Sequence, residues 1–329
     1  MTTMTAPADR NVSRQPVPWR SLAWVTWRQH RVAVAAAAAL LAGLSLVMLV
    51  NGLIARSHHF GLAACHVASC AGQSASYAGT ATTIAMLLQA VPALIGVFAG
   101  APIVARELET GTFRYAWTQQ CGPLRWVIAK LVPLAVVVTV LAAAASVVTS
   151  WYVQPFISAG LVSGIRPVFF NVRGIDFAAW TLIAFAIAAF AGVLVRKTMP
   201  ALAVSLAAWA GLFFATTIWL RPLYQTPLIG KAADITVRWW VVGQTQAGAL
   251  ARYQPSDRFW HFQLIECSWL LVVALLLGAG TVWLVRGRAS SPITFGRTRS
   301  DGLPSIRPLS HDRGRGQTGS NMRDTPSGQ

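Results

Sequence analysis

Long apolar runs alternate with short charged stretches along this chain, and the runs set its architecture. Six of them, at 32–54, 80–105, 131–151, 177–195, 201–220 and 264–285, reach about the 20 residues an α-helix needs to cross roughly 30 Å of hydrocarbon. They are continuous and rich in Ala, Leu and Val, whereas barrel strands are shorter and alternate in polarity, so the pattern predicts helices. The expected fold is an all-α integral membrane protein with six transmembrane helices in a domain spanning 19–285. A polar stretch at 1–18 and a basic tail at 286–329 hold few large apolar side chains and are expected to be disordered. The first run is followed by Arg56 and His58 without a small-residue cleavage site, so it reads as an anchor and not a cleaved signal.

Composition agrees, because 55% of residues are hydrophobic and only 11% are charged, a balance rare in soluble domains. The net charge of +17 raises the question of a nucleic-acid partner. The positive residues are spread over membrane-flanking segments and the tail, not gathered on one compact domain. Anionic lipid headgroups and topology account for them, and nucleic acid is not expected. Placing both termini in the cytoplasm puts 19 of the 27 Lys and Arg residues inside, eight of them between Arg286 and Arg323. That bias is expected of a multi-pass plasma-membrane protein with an even number of spans.

Two flanking segments carry amphipathic character. In WRSLAWVTWRQHR at 19–31, Trp24 and Trp27 share a helical face, Trp19 precedes them, and Arg20, Arg28 and Arg31 offer charge to headgroups. This predicts an N-terminal interfacial helix, with a plain extension of the first span as the alternative. The segment 221–263 holds Trp239, Trp240, Trp260 and Phe262 and is too apolar for a free loop. Short extracellular helices before the last span are expected there, against a folded surface loop.

Catalytic machinery is missing from the sequence. Gly230-Lys231 is followed by Ala232, so no GxxxxGK[ST] phosphate loop exists, and HExxH, GxSxG and CxxC do not occur. No catalytic residue and no metal site is expected. Cys65 and Cys70 fall on the outer side, where a disulfide can form; free thiols, or a metal site with His58, His59 and His66, are the other readings. Glu266 is the carboxylate placed inside a run, where a charge is costly unless paired or protonated. It reads as an intramembrane functional group, or as a side chain that reaches the headgroups or pairs with Arg258. Gln89 in the second run is expected to make an interhelical hydrogen bond.

Between the second and third runs lies RELETGTFRYAWTQ at 106–119, which must sit at a membrane face. Arg106, Glu107, Glu109 and Arg114 bring both signs of charge, Gly111 allows a turn after a helix end, and Phe113, Tyr115 and Trp117 suit an interface. The pattern is that of a docking surface, with an ordinary hairpin connection as the alternative.

The run GAPIVARELETGTFRYAWTQQCGPLRWVIAKL at 100–131 closely resembles the connection between the second and third spans of actinobacterial ABC type-2 permeases, which reads ARELExGTxRxAWTQ followed by RW and KL. LAWVTWRQHR at 22–31 is similar to the leading helix of the same family. The resemblance implies a six-span permease subunit that pairs with a second permease copy, identical or not, above separate ABC ATPase subunits. ATP and Mg would be bound by those subunits, leaving this chain without a cofactor and without enzymatic activity. By the same resemblance, Glu107, Glu109, Thr110, Gly111, Thr112 and Arg114 would contact or position the ATPase. Trp117, Thr118 and Gln119 would support this coupling helix at the membrane surface. The segment holding Trp19, Trp24, Trp27, Arg28 and Arg31 would be a lateral connecting helix. The implied function is export of a hydrophobic or amphiphilic substrate across the plasma membrane. The competing class is a membrane-anchored interaction or immunity protein that docks a partner and transports nothing.

Overall fold

The computed structural model describes residues 18–57, 68–111, 122–244 and 249–289. Among them are six helical stretches long and apolar enough to cross a membrane, in the order the sequence predicts. The first, α1 (Trp19–Ser57), has 39 residues. At about 1.5 Å per residue it measures about 58 Å, nearly twice the hydrocarbon thickness, so it extends beyond the bilayer. The leading segment is helical as expected but is not a separate element. No proline or glycine interrupts 19–42, and the helix continues unbroken into the span.

The second span is made of two helices. α2 (Ala68–Leu88) stops at Gln89 and Ala90, and α3 (Val91–Thr110) restarts with Pro92 in its first turn. Proline has no amide hydrogen and its ring displaces the carbonyl four residues back, which places the break there. The Gln89 side chain accepts a hydrogen bond from Asn171 Nδ2 at 3.0 Å, the cross-element tie expected of a polar side chain in a span.

The third span is α4 (Pro123–Ser158), and the short α5 (Pro167–Phe170) leads to α6 (Asp176–Val195), the fourth. α7 (Thr198–Ala215) follows after Arg196, which adopts a left-handed φ of 61°, and Lys197. It continues through a π-helical turn (Thr216–Leu220) and a 3-10 turn (Arg221–Leu223). The last span is α8 (Phe259–Ala289), which runs past the expected boundary at 285. The remainder of the basic tail, 290–329, and the leading residues 1–17 lie outside the described residues.

α6 is the core helix, with α3, α4, α7 and α8 all packed on it. Of its apolar window 67% is buried, against 17% for α1, so α1 presents most of its side chains outward. Lipid tails are as apolar as leucine, so helices in a bilayer associate by close packing of small residues and not by the hydrophobic effect. The contact of α3 with α6 is built this way. A Cβ added to Gly100 would lie 2.6 Å from Phe185 O and 2.8 Å from the Ala188 methyl, and one on Gly192 would lie 2.8 Å from Ala101 O. The two backbones touch where glycine allows it.

Beyond α7 the chain forms β1 (Leu228–Lys231), β2 (Trp240–Gln244) and β3 (Leu250–Gln254), an antiparallel sheet in the order β1-β3-β2 with an irregularity between Val241 and Gly243. This corrects the expectation of short helices alone, although 3-10 turns at Ala232–Asp234 and Ser256–Arg258 are present. The aromatic residues that suggested membrane contact partly serve the sheet itself. Trp239 stacks on Tyr253 with ring centroids 4.4 Å apart. The sheet is tied to the bundle by Ser163 Oγ, which donates to Arg238 O at 2.8 Å, and by Arg238 Nη2, which donates to Ser158 O at 2.7 Å.

Candidate functional site: the root of the insert and a buried charge cluster

At the insert end of the bundle, α3 closes at Thr110 and Gly111 takes the left-handed conformation, φ 71°, that ends many helices. Glu107 forms an ion pair with Lys130 of α4. The Lys130 side chain is only 6% exposed and its ammonium lies 4.7 Å from the Trp126 ring centroid, so the carboxylate offsets a charge that would otherwise be buried alone. Glu109 Oε2 accepts hydrogen bonds from Thr198 N at 3.0 Å and Thr198 Oγ1 at 2.8 Å. The first turn of a helix leaves amide hydrogens unpaired and carries partial positive charge. Lys197, at the cap position of α7, offers no acceptor, and Glu109 supplies one from another helix.

Both carboxylates of the insert are therefore engaged within the chain. Glu107 ties α3 to α4, and Glu109 ties α3 to α7. Thr110 Oγ1 donates to Arg106 O at 2.9 Å within its own helix. Thr112, Arg114, Trp117, Thr118 and Gln119 lie outside the described residues. The leading segment packs beside this root, with Thr26 Oγ1 donating to Ala129 O at 3.3 Å and the Arg125 guanidinium 4.8 Å from the Trp19 ring. Trp19, Trp24, Trp27, Arg28 and Arg31 all remain exposed.

At the far end, Glu266 of α8 is fully buried. Arg258 does not receive it and donates instead to Gln254 Oε1 and Thr226 O. Its partner is Arg221, whose Nε and Nη2 reach the two carboxylate oxygens at 2.8 and 2.5 Å, and Trp180 Nε1 donates to the same group at 3.0 Å. Asp176, which opens α6, places Oδ2 3.9 Å from Arg221 Nη2. The guanidinium lies 4.3 Å from the centroid of Phe170. Tyr224 borders the cluster, and its oxygen accepts from Trp269 Nε1 at 3.0 Å. Burial first, then the nearby Glu266 charge, raises the Tyr224 pKa above its ordinary value and keeps the phenol protonated.

Sequence reasoning singled out Glu266 and missed Asp176 and Arg221, which fall at the edges of polar segments. The π turn brings Arg221 inward while Ile218, Trp219, Leu220 and Leu223 stay exposed. A usable signal existed: the acidic starts or interiors of two runs and the basic end of a third all lie at the same end of the bundle. Cys267, next to Glu266, is a free thiol. Cys65 lies outside the described residues, as do His58, His59 and His66, while Cys70 falls in α2.

A family model described as ABC-2 membrane transporter related matches residues 31–221, more than half of the chain, from the first span through the insert to the buried Arg221. The chain belongs to the ABC-2 membrane transporter related family. No curated protein and no solved structure matches it. This family supplies the transmembrane component of ABC transporters, which partners with an ATPase subunit, so the chain is a multi-pass membrane protein of that kind. Within this ABC-2 component, Asp176 and Arg221 lie inside the matched region, and Glu266 and the three-stranded sheet lie beyond it.

Proposed function

We propose that the chain is the permease subunit of an ABC exporter, driven by ATP hydrolysis in separate subunits docked on the insert. The observation that carries this reading is the family match across 31–221, which includes the complete insert between the second and third spans. In the proposed orientation the insert end is cytoplasmic, as the distribution of Lys and Arg favours, and both termini lie on that side of the plasma membrane.

The geometry at the root suggests how work is transferred. Nucleotide-driven closure of the ATPases moves the insert, and Glu107 and Glu109 pass the movement to α4 and α7 because their carboxylates are anchored there. These two residues act as positioning groups, leaving direct ATPase contact to the rest of the insert, Gly111, Thr112 and Arg114, with Trp117, Thr118 and Gln119 supporting it at the membrane surface. α6 moves with α3, since backbones in van der Waals contact do not slide independently. A groove of about 240 Å³ between α4, α6 and α8 is walled by Leu131, Leu182, Phe185, Leu271 and Leu275 and suits a hydrophobic or amphiphilic cargo. A second permease copy completes the translocation path.

Reconstitution tests the proposal. The permease and an ABC ATPase encoded beside it should co-purify, the permease should change ATP turnover, and the complex should move a fluorescent amphiphile across proteoliposomes only with hydrolysable ATP. Absence of both binding and any change in turnover refutes it.

A further inference from the structure

The buried charge cluster at the far end of the bundle holds two acids and one base. Asp176, Arg221 and Glu266 are each fully buried. With both carboxylates ionised, the cluster would keep one uncompensated negative charge at a depth where charge is expensive.

The two carboxyl groups are treated unequally. Glu266 receives two prongs of Arg221 at 2.8 and 2.5 Å and the Trp180 N–H at 3.0 Å, which is the setting of an anion. Asp176 Oδ2 lies 3.9 Å from the nearest Arg221 nitrogen and has no hydrogen-bond partner among the described residues, and Oδ1 is met by the Cys267 thiol at 3.9 Å. A helix N-terminus would favour an anion at this position. The amides of Ile175 and Asp176, however, donate to Gln263 Oε1 at 2.8 and 3.3 Å, so a neutral amide oxygen already caps α6. That dipole is a smaller effect than burial of an unpaired carboxylate.

Among the described residues no second cation pairs with Asp176. Arg173, on the segment before α6, donates to Gln154 Oε1 and lies over the Phe259 ring. Tyr224 presents a neutral phenol engaged with Trp269. At this level α4 contributes the hydroxyls of Ser146 and Ser150, both directed to Gly174, and the second span contributes the Gln89 amide.

We infer that Asp176 is a buried proton-binding site, carrying one proton as a carboxylic acid beside the Arg221–Glu266 ion pair so that the cluster is neutral. Its members come from α6, the end of α7 and α8, and separation of these three elements would admit water to Asp176. The proton then passes to water, and the carboxylate formed becomes a second anionic partner for Arg221. Closure takes one proton back. Opening and closing of this end thereby release and bind one proton, independently of which cargo is carried or whether an ATPase is attached.

Infrared spectroscopy of the full chain in lipid bilayers at neutral pH tests this. The wild type should show the carbonyl stretch of a protonated carboxylic acid, shifted in D₂O, and Asp176→Asn should abolish it. Thermal unfolding gives a second readout. A proton held only in the folded state makes stability fall as pH rises, by up to about tenfold in the unfolding equilibrium per pH unit, and Asp176→Asn should lack that slope between about pH 5 and 8. The absence of an acid band in the wild type, its persistence in Asp176→Asn, or equal pH slopes in the two proteins overturns the inference. Failure of Asp176→Asn to fold overturns it too, because a neutral carboxamide should replace a neutral acid.

Discussion

Replacing Gly100 with alanine should loosen the contact on which the bundle is organised. The added methyl would lie 2.6 Å from Phe185 O and 2.8 Å from the Ala188 methyl. Comfortable carbon–oxygen and carbon–carbon separations are about 3.3 Å and 3.5–4.0 Å, so α3 and α6 must part by roughly 0.7 Å or more. Overpacking of this size costs about 1–3 kcal/mol, set against a gain of about 0.5–1 kcal/mol from replacing a helical glycine with alanine. The net expectation is a loss of up to about 2.5 kcal/mol, read by tryptophan fluorescence during thermal unfolding in detergent or nanodiscs. Ala188→Gly in the same chain relieves the methyl contact but not the carbonyl contact, so rescue should be partial. Gly43 of α1 has open space around its position and serves as the control, where alanine should leave stability unchanged or raise it. If Gly100→Ala is as stable as Gly43→Ala, the close packing of α3 on α6 does not organise the bundle and the reasoning fails.

Three further outcomes are expected. Glu107→Gln leaves the Lys130 ammonium buried without a counter-charge and should cost about 2–3 kcal/mol, less than the ~3–5 of a fully buried pair because Glu107 keeps partial exposure; a double-mutant cycle with Lys130→Met measures the coupling. Arg221→Met strands the Glu266 carboxylate and should destabilise by about 3–5 kcal/mol, whereas adding Glu266→Leu to it should recover most of the loss, which thermal unfolding of both variants checks. Tyr224→Phe removes the acceptor of the Trp269 N–H and should cost about 1 kcal/mol by the same assay, with a change in the indole fluorescence maximum.

The six spans were legible because hydrophobic length is a strong signal: the bilayer demands it and little else produces it. Finer features depended on contacts between distant segments. The first helix continues through Trp19–Ser57 because nothing between the amphipathic segment and the span breaks it, and tryptophan periodicity alone does not distinguish a surface helix from an extended one. The strands β1 to β3 have four or five residues each, and Trp240 of β2 and Tyr253 of β3 are residues that an interface would equally use. Glu107 and Glu109 were visible as charges, but their partners Lys130 and Thr198 are 23 and 89 residues away, and only the folded bundle brings them together. Arg221 was hidden by local geometry, since a regular α-helical count through 216–220 does not anticipate the π turn.

The pairing of Glu109 with Thr198 also defines what can be exchanged between related chains. A chimera that imports residues 106–119 alone brings two carboxylates whose receptors, Lys130 and the first turn of α7, lie outside the transplanted piece. The exchangeable module is discontinuous: it consists of the insert, the start of α4 and the short turn at Arg196 and Lys197 with Thr198. Swaps that respect this three-part unit should retain assembly, and those that follow the contiguous sequence block should lose it.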